Sequence, residues 1–398
     1  MKRLATALLL AATACSSHSS ASAPAATPTD SSPPFKVAKQ GQFDEPFAMA
    51  FLPSGQMLVT EKAGKLKLRA PDGKVSDIAG VPTVATPEQG GLLDVAVAPD
   101  FGTSHTIYLT YSEPAGKGSQ LAVMKAKLEG TGLSGTDVIW RSGSAGNGGQ
   151  FGAVIAFAPD GKSMFLSSGE RQRFTPAQDP DQKLGKILHL TLDGKAWPGN
   201  PGAGKTGAAE VPVFDPPKDT GAVASAKVTM QKVDGPNTAP AETWSLGHRN
   251  PYGLAFAADG RLWETEMGPK GGDEVNLILP AKNYGWPKAS NGSNYDGLDI
   301  PDHKAGDGFE APKVFWNPSI SPGGFMIYSG ALFPQWKGSG FIAALSGESL
   351  IRITIDGDKA AKADQWPMNA RLRDVVQGPD GAIWVLQDDG ALLKLTPK

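Results

Sequence analysis

A short β unit recurs along the chain: AFLPSGQMLVT from Ala50, AFAPDGKSMFLS from Ala156, AFAADGRLWET from Ala255 and VQGPDGAIWVL from Val376. DVAVAPDFGTSHTIYLTY from Asp94 is a looser copy, and FPQWKGSGFIAAL from Phe333 is a sixth. Each unit is an apolar strand, a turn built on Asp-Gly or Ser-Gly, and an alternating strand. Glycine supplies the positive φ that such a tight hairpin needs. Recurrence of one hairpin at irregular intervals of roughly 45 to 100 residues is the signature of propeller blades with insertions between them. A β-sandwich built from similar hairpins is the competing architecture. With 49 Gly and 33 Pro among 398 residues and no long helical period, a helical bundle is disfavoured. The expected fold class is therefore all-β, a six-bladed β-propeller. The Gly-, Pro- and Asp-rich stretches 196–234 and 291–313 read as long loops on one face, where binding sites are built.

The start of the chain has a different character. MKRLATALLLAATACSS places Lys2 and Arg3 before an apolar run at 4–14, too short to span a bilayer and typical of an export signal. Cys15, the one cysteine, follows Ala12-Thr13-Ala14 and resembles a bacterial lipobox; ordinary cleavage near Ala14 is the other reading. Residues 1–15 are thus expected to be a signal peptide with a lipidated Cys15, and 16–34 a disordered Ser/Ala/Pro tether. The propeller then occupies 35–398. One cysteine excludes a disulfide scaffold or a multi-cysteine metal site. A net charge of -2, from 38 basic and 40 acidic residues, removes the electrostatic reason to expect a nucleic-acid partner.

GNPGAGKT at 199–206 matches the phosphate-binding loop pattern, but that chemistry needs a preceding buried strand and a following helix. Here prolines flank it on both sides, and it reads as a loop. Chemistry is more legible in four polar clusters. They contain Gln89 and Asp94; Gln150 with Glu170; His248, Arg249 and Asn250 with the 266–287 segment; and Arg371 with Arg373. Arg371 and Arg373, two apart on a strand, project from one face and with Arg249 suit a multiply charged planar anion. Pairing with Asp374 or Asp380 is the plainer alternative. Asp273 and Glu274 offer hard oxygen ligands suited to calcium, or a polar surface turn. His248 is a base or a structural hydrogen-bonding residue. Trp244, Trp263, Trp286, Trp316 and Trp384 are expected in blade cores.

GHRNPYGLAF, GPKGGDEVNLI followed by KNYGWP, QGGLLDVAVAPDF, LGKILHL and RLRDVVQGPDG together resemble the glucose/sorbosone dehydrogenase family over about residues 43–395. The resemblance implies a periplasmic quinoprotein, and the lipobox-like Cys15 adds the expectation of a lipid anchor in the outer membrane. Such a protein holds pyrroloquinoline quinone and calcium over the channel and oxidises an aldose at the anomeric carbon to the lactone. It passes the electrons to an external acceptor. On this resemblance Gln89, Arg249, Asn250, Arg371 and Arg373 contact the cofactor. The carbonyls of Gly268 and Pro269 face its calcium, and Glu274 and Tyr284 belong to a second, structural calcium. Arg249 and the residue at position 150 carry the catalysis. Three features depart from the pattern. Gln150 stands where active members have the catalytic His, and Gln cannot accept a proton at neutral pH. Met267 replaces a polar residue before Gly-Pro, and a thioether is a poor calcium ligand. Leu345-Ser346-Gly347 stands where a quinone-facing lysine is found. Glu170 and His248 are candidate substitute bases. A propeller that has lost catalysis and binds a glycan, a cofactor or an envelope partner is the alternative function.

Overall fold

In a computed structural model, which describes residues 33–217, 223 and 225–398, six four-stranded antiparallel sheets are arranged as the blades of a propeller. The innermost strands are Pro46–Phe51, Leu92–Val97, Gly152–Phe157, Pro251–Phe256, Pro322–Ile327 and Leu372–Gln377. Each pairs with the next strand through one of the six recurring hairpins, so every repeat seen in the sequence forms the inner half of a blade. The second strands are buried on both faces because neighbouring strands and blades cover them. Met57–Glu61 and Gly340–Ala344 are buried at every position. The ring closes when Phe35–Gln42 pairs with Ala391–Pro397 as the outer strand of the last blade. Phe35 is fixed there by edge contacts with Trp336 and Trp366. The leader, Cys15 and the tether up to residue 32 lie outside the described residues.

All six inner strands carry a register shift near their first residues. Such bulges bend the strand and free backbone groups, which here are satisfied by side chains. The Asp94 carboxylate accepts from its neighbour Val95 N and from Ile155 N of the next blade, both at 2.8 Å. Asp374 does the same with Val375 N and Met49 N, bridging the last blade to the first. Burial beside the channel raises the pKa of Asp94 to about 7 and of Asp374 to about 6.

Two expected loops hold short strands of their own. Within 196–234, Glu210–Phe214 pairs with Val228–Lys232, and within 291–313, Gly292–Ser293 pairs with Lys270–Gly271. The 199–206 segment is a turn without a following helix. Its Asn200 amide donates to the carbonyls of His189 (2.7 Å) and Ala241 (2.9 Å), closing a structural loop.

Candidate active site

The loops that feed the inner strands surround one mouth of the channel. A cavity of about 590 Å³ is lined by Gln89, Gln150, Arg249, Asn250 and the 267–271 turn. It adjoins one of about 360 Å³ lined by Lys62, Tyr252, Arg371 and Arg373. Gln89, Met267, Tyr295 and Ser321 line both, so the three arginines face a common space. Its size is that of an ordinary small-molecule site.

Arg249 is the best-anchored of the three. Its backbone N–H donates to Glu266 at 2.6 Å, and its Nη1 donates to the carbonyls of Met267 (3.0 Å) and Gly268 (2.6 Å). The guanidinium lies over the rings of Trp286 and Tyr295, and its buried Nε has no partner among the described residues. Trp286 thus flanks the site and is not blade core as the sequence suggested. Arg371 and Arg373 pair with Asp388, through Nε at 2.8 and 2.9 Å, and not with Asp374 or Asp380. Burial raises the Asp388 pKa, but Arg373 and Arg371 outweigh it and hold the carboxyl below its usual value.

The turn at 267–272 is held tightly. A Cβ on Gly268 would lie 2.3 Å from the Gly272 carbonyl, so only glycine fits there. Asp273 anchors this turn: it accepts from Gly268 N (2.8 Å), Ser319 Oγ (2.6 Å), Ile320 N (2.6 Å) and Ser321 N (2.7 Å). Three of the four bonds go to Oδ2 and one to Oδ1, so Asp273 is first a structural anchor of the turn.

Gln150 sits in the left-handed region at φ 54°, on a loop whose Gly148 and Gly152 also have positive φ. With its amide turned to satisfy both neighbours, the nitrogen faces the Glu170 carboxylate and the oxygen lies 2.8 Å from Arg249 Nη2. Its backbone N–H donates to Gln89 Oε1 (2.8 Å), which also accepts from Tyr252 Oη (2.9 Å). Asn250 accepts from Gly152 N at 3.3 Å. Glu170 is buried, which raises its pKa against the lowering effect of Arg249 and of the Phe174 and Arg173 N–H groups. Arg171 holds this loop: fully buried on the Phe151 ring, it donates to the carbonyls of Gly146, Gly148 and Gly149. His248, the other candidate base, is completely buried. It bonds to Ser245 Oγ (2.9 Å) and Glu266 (3.2 Å), stacks on Tyr284, and cannot reach the mouth.

Behind the mouth lies a buried acidic cluster. Glu264 and Glu266 share a face of Leu262–Glu266, opposite Asn276 and Glu274 on Asp273–Ile278. Asn276 Nδ2 lies 3.1 Å from Glu264, 3.3 Å from Glu266 and 3.1 Å from Glu274. An amide has two hydrogens for these three carboxylates, and Asn276 Oδ1 and Glu264 Oε1 are buried without partners among the described residues. Burial and the neighbouring Glu266 push Glu264 and Glu274 well above the usual carboxylate range. Glu274 and Tyr284 border a small void here. The Tyr284 hydroxyl is committed to Leu277 O (2.6 Å) and Leu279 N (2.9 Å), leaving only its backbone carbonyl for a cation.

Sequence reasoning missed Lys62 and Tyr295 at the mouth and Glu264 in the buried cluster, and gave no role to Gln172, Tyr252 and Glu266, which lie inside its polar clusters. Tyr252 sits inside the HRNPY string and was within reach. Glu264 and Glu266 carry the period-2 signal of two carboxylates on one strand face, here on a strand that is wholly buried.

A family model described as Glucose / Sorbosone dehydrogenase matches residues 43–214 and 219–394. The chain is 36% identical over 373 residues to aldose sugar dehydrogenase YliI of Escherichia coli (strain K12), covering 90% of this chain and 92% of that protein. The crystal structure of the soluble aldose sugar dehydrogenase from Escherichia coli in its apo-form superposes with a TM-score of 0.79 at 34% identity, covering 92% of this chain and all of the other. The PQQ-bound form of aldose sugar dehydrogenase from Streptomyces coelicolor superposes at 0.68 and 26% identity, covering 92% and 100%. By its sequence and by the blades that carry its arginine-lined mouth, the chain belongs to the glucose/sorbosone dehydrogenase family.

Proposed function

We propose that the protein is a quinone-dependent sugar dehydrogenase that binds pyrroloquinoline quinone at the mouth and oxidises an aldose at the anomeric carbon to the lactone. The observation that carries this reading is the convergence of Arg249, Arg371 and Arg373 on one space, with Arg249 Nε buried and unpaired. Three guanidinium forks match a planar tricarboxylate quinone, and the relatives named above are sugar dehydrogenases, one of them a PQQ-bound form. When bound, the quinone supplies the two-electron acceptor, which is then reoxidised by an external acceptor.

The chain's own residues do the rest. Arg371 and Arg373, oriented by Asp388, hold carboxylate groups, while Asn250 and Gln89 fix the loop that carries Gln150. Arg249, clamped by Met267 and Gly268, presents its positive charge to a polar oxygen in the mouth. Gln150 orients a sugar hydroxyl but takes no proton; Glu170, directly behind it, is the group that holds one. Calcium at Gly268 and Pro269 fits less well, because the Gly268 carbonyl already accepts from Arg249 and Met267 lies beside it. The acidic cluster around Glu274 and the Tyr284 carbonyl has the donor set and the uncompensated charge for a structural calcium. A second reading, a propeller that binds without turnover, is favoured by Gln150 alone.

Calorimetric titration of the apo-protein with the quinone tests the assignment. Binding is expected, with Arg373→Ala weakening it at least ~10-fold through loss of a charge-assisted bond. Quinone that binds neither protein at any calcium level leaves the binding propeller as the function.

We also propose that Cys15 is lipidated and anchors the protein to the periplasmic face of the outer membrane. Among the described residues no helix is long and apolar enough to cross a membrane. Cys15→Ala is expected to move the protein from the membrane to the soluble fraction with an unchanged thermal melt. An unchanged membrane fraction would reject the anchor.

A further inference from the structure

Beside the mouth lies a second, larger concavity of about 1080 Å³. One wall is the tip of the hairpin formed by Thr106–Ala115 and Gly118–Glu129. The other is the inserted pair Glu210–Phe214 and Val228–Lys232. Its floor includes 142–147, the same loop that continues to Gln150 in the mouth. Only Gly148 and Gly149 lie between Asn147 and Gln150, so at most ~10 Å of chain joins the two. We propose that this groove is a binding subsite for an uncharged oligosaccharide whose reducing end reaches the mouth.

Two buried polar atoms point to a ligand. Ser142 Oγ and Gln182 Oε1 both belong to groove-lining residues that are 3% and 2% exposed, and neither has a hydrogen-bond partner among the described residues. The Gln182 amide nitrogen is already committed to Asp179 at 3.1 Å, so its oxygen is a fixed acceptor. Unpaired buried acceptors are costly, and a ligand hydroxyl, which donates and accepts, satisfies both. Charge selects among hydroxyl-rich ligands. Lys117, Lys227 and Lys232 line the groove together with Asp181, Asp215 and Asp234, and the two further cations of the lining, Arg141 and Lys183, are already paired with Glu113 and Glu242. The two sets cancel, which favours a neutral glycan over a polyanion. Val211, Val213 and Met230 add apolar surface for the C–H faces of sugar rings.

The subsite rests on the sugar dehydrogenase reading for its direction, but binding tests it separately. Glucose, maltotetraose and cellotetraose are titrated calorimetrically into the apo-protein and into two variants. Thr229→Trp fills the groove from an exposed strand, and Gln182→Met removes the buried acceptor. At least one tetrasaccharide is expected to bind wild type ~10-fold or more tighter than glucose. Each variant should abolish that advantage and leave glucose binding unchanged. Equal affinity for tetrasaccharides and glucose, no tetrasaccharide binding, or a variant effect shared by both sugars overturns the proposal. If Gln182→Met fails to fold, Thr229→Trp carries the test. Groove-dependent tetrasaccharide binding by a protein without quinone-dependent oxidation keeps the subsite and discards the dehydrogenase. Glucose oxidation with no tetrasaccharide advantage does the reverse.

Discussion

Gln150→His is expected to raise quinone-dependent aldose oxidation at least ~10-fold, a conservative floor beneath the ~10²–10⁴-fold that a positioned general base contributes. The surroundings are already those of a base. Gln150 lies between the Glu170 carboxylate and Arg249 Nη2, and a ring nitrogen in its place meets the same carboxylate. A carboxylate behind an imidazole fixes its tautomer and leaves the other nitrogen to accept a proton. Because the introduced imidazole works as a base only when neutral, activity should rise with pH through its pKa, and that inflection should be absent from wild type. If wild type instead turns over and Glu170→Gln abolishes the turnover, Glu170 is the base and Gln150→His gives little gain. Dye-linked initial rates across pH, at saturating quinone and a wide calcium range, separate these outcomes. No gain from Gln150→His and no loss from Glu170→Gln would reject both residues as the proton acceptor.

The blades were legible because each is a local device. Six Gly-centred hairpins with apolar flanks need only short-range information, and all six appear as inner strand pairs. The closure by Phe35–Gln42 was not legible, because it pairs residues at opposite ends of the chain. Arginine at 249, 371 and 373 stood out by type and spacing. What each side chain touches did not. Asp388, which orients Arg371 and Arg373, lies fifteen or more residues from both, and the link from Glu170 through Gln150 to Arg249 joins three separate loops. Asp273 shows the same limit: a hard-oxygen residue in a turn reads as a metal ligand, and only the structure shows the three backbone N–H groups and the Ser319 hydroxyl that make it an anchor.

The buried carboxylates lead to a prediction whose sign depends on a cation. Without one, Glu264 and Glu274 have folded-state pKa values raised by burial and by Glu266, and His248 and His303 lie beside them. A raised carboxylate pKa means the unfolded chain gives up its proton first, from about pH 4.3. The contribution of Glu264 and Glu274 to the stability of the cation-free protein should therefore be largest below that pH and fall as pH rises towards the folded-state values. A calcium ion bound by deprotonated Glu264, Glu266 and Glu274, with the Asn276 amide turned to offer its oxygen, reverses the slope. Glu264 and Glu274 would then be held deprotonated, and the cluster's contribution to stability would rise with pH. At a thousandfold excess over its dissociation constant the ion adds ~4 kcal/mol, a shift of several degrees in melting temperature for a domain this large. Thermal melts from pH 4 to 8 in excess calcium and in excess chelator read both effects. Parallel curves in the two conditions would show that no cation is held there. Glu264→Gln should flatten the chelator curve, because it removes one of the two carboxyls whose pKa is raised on folding and leaves two carboxylates for the two amide hydrogens of Asn276.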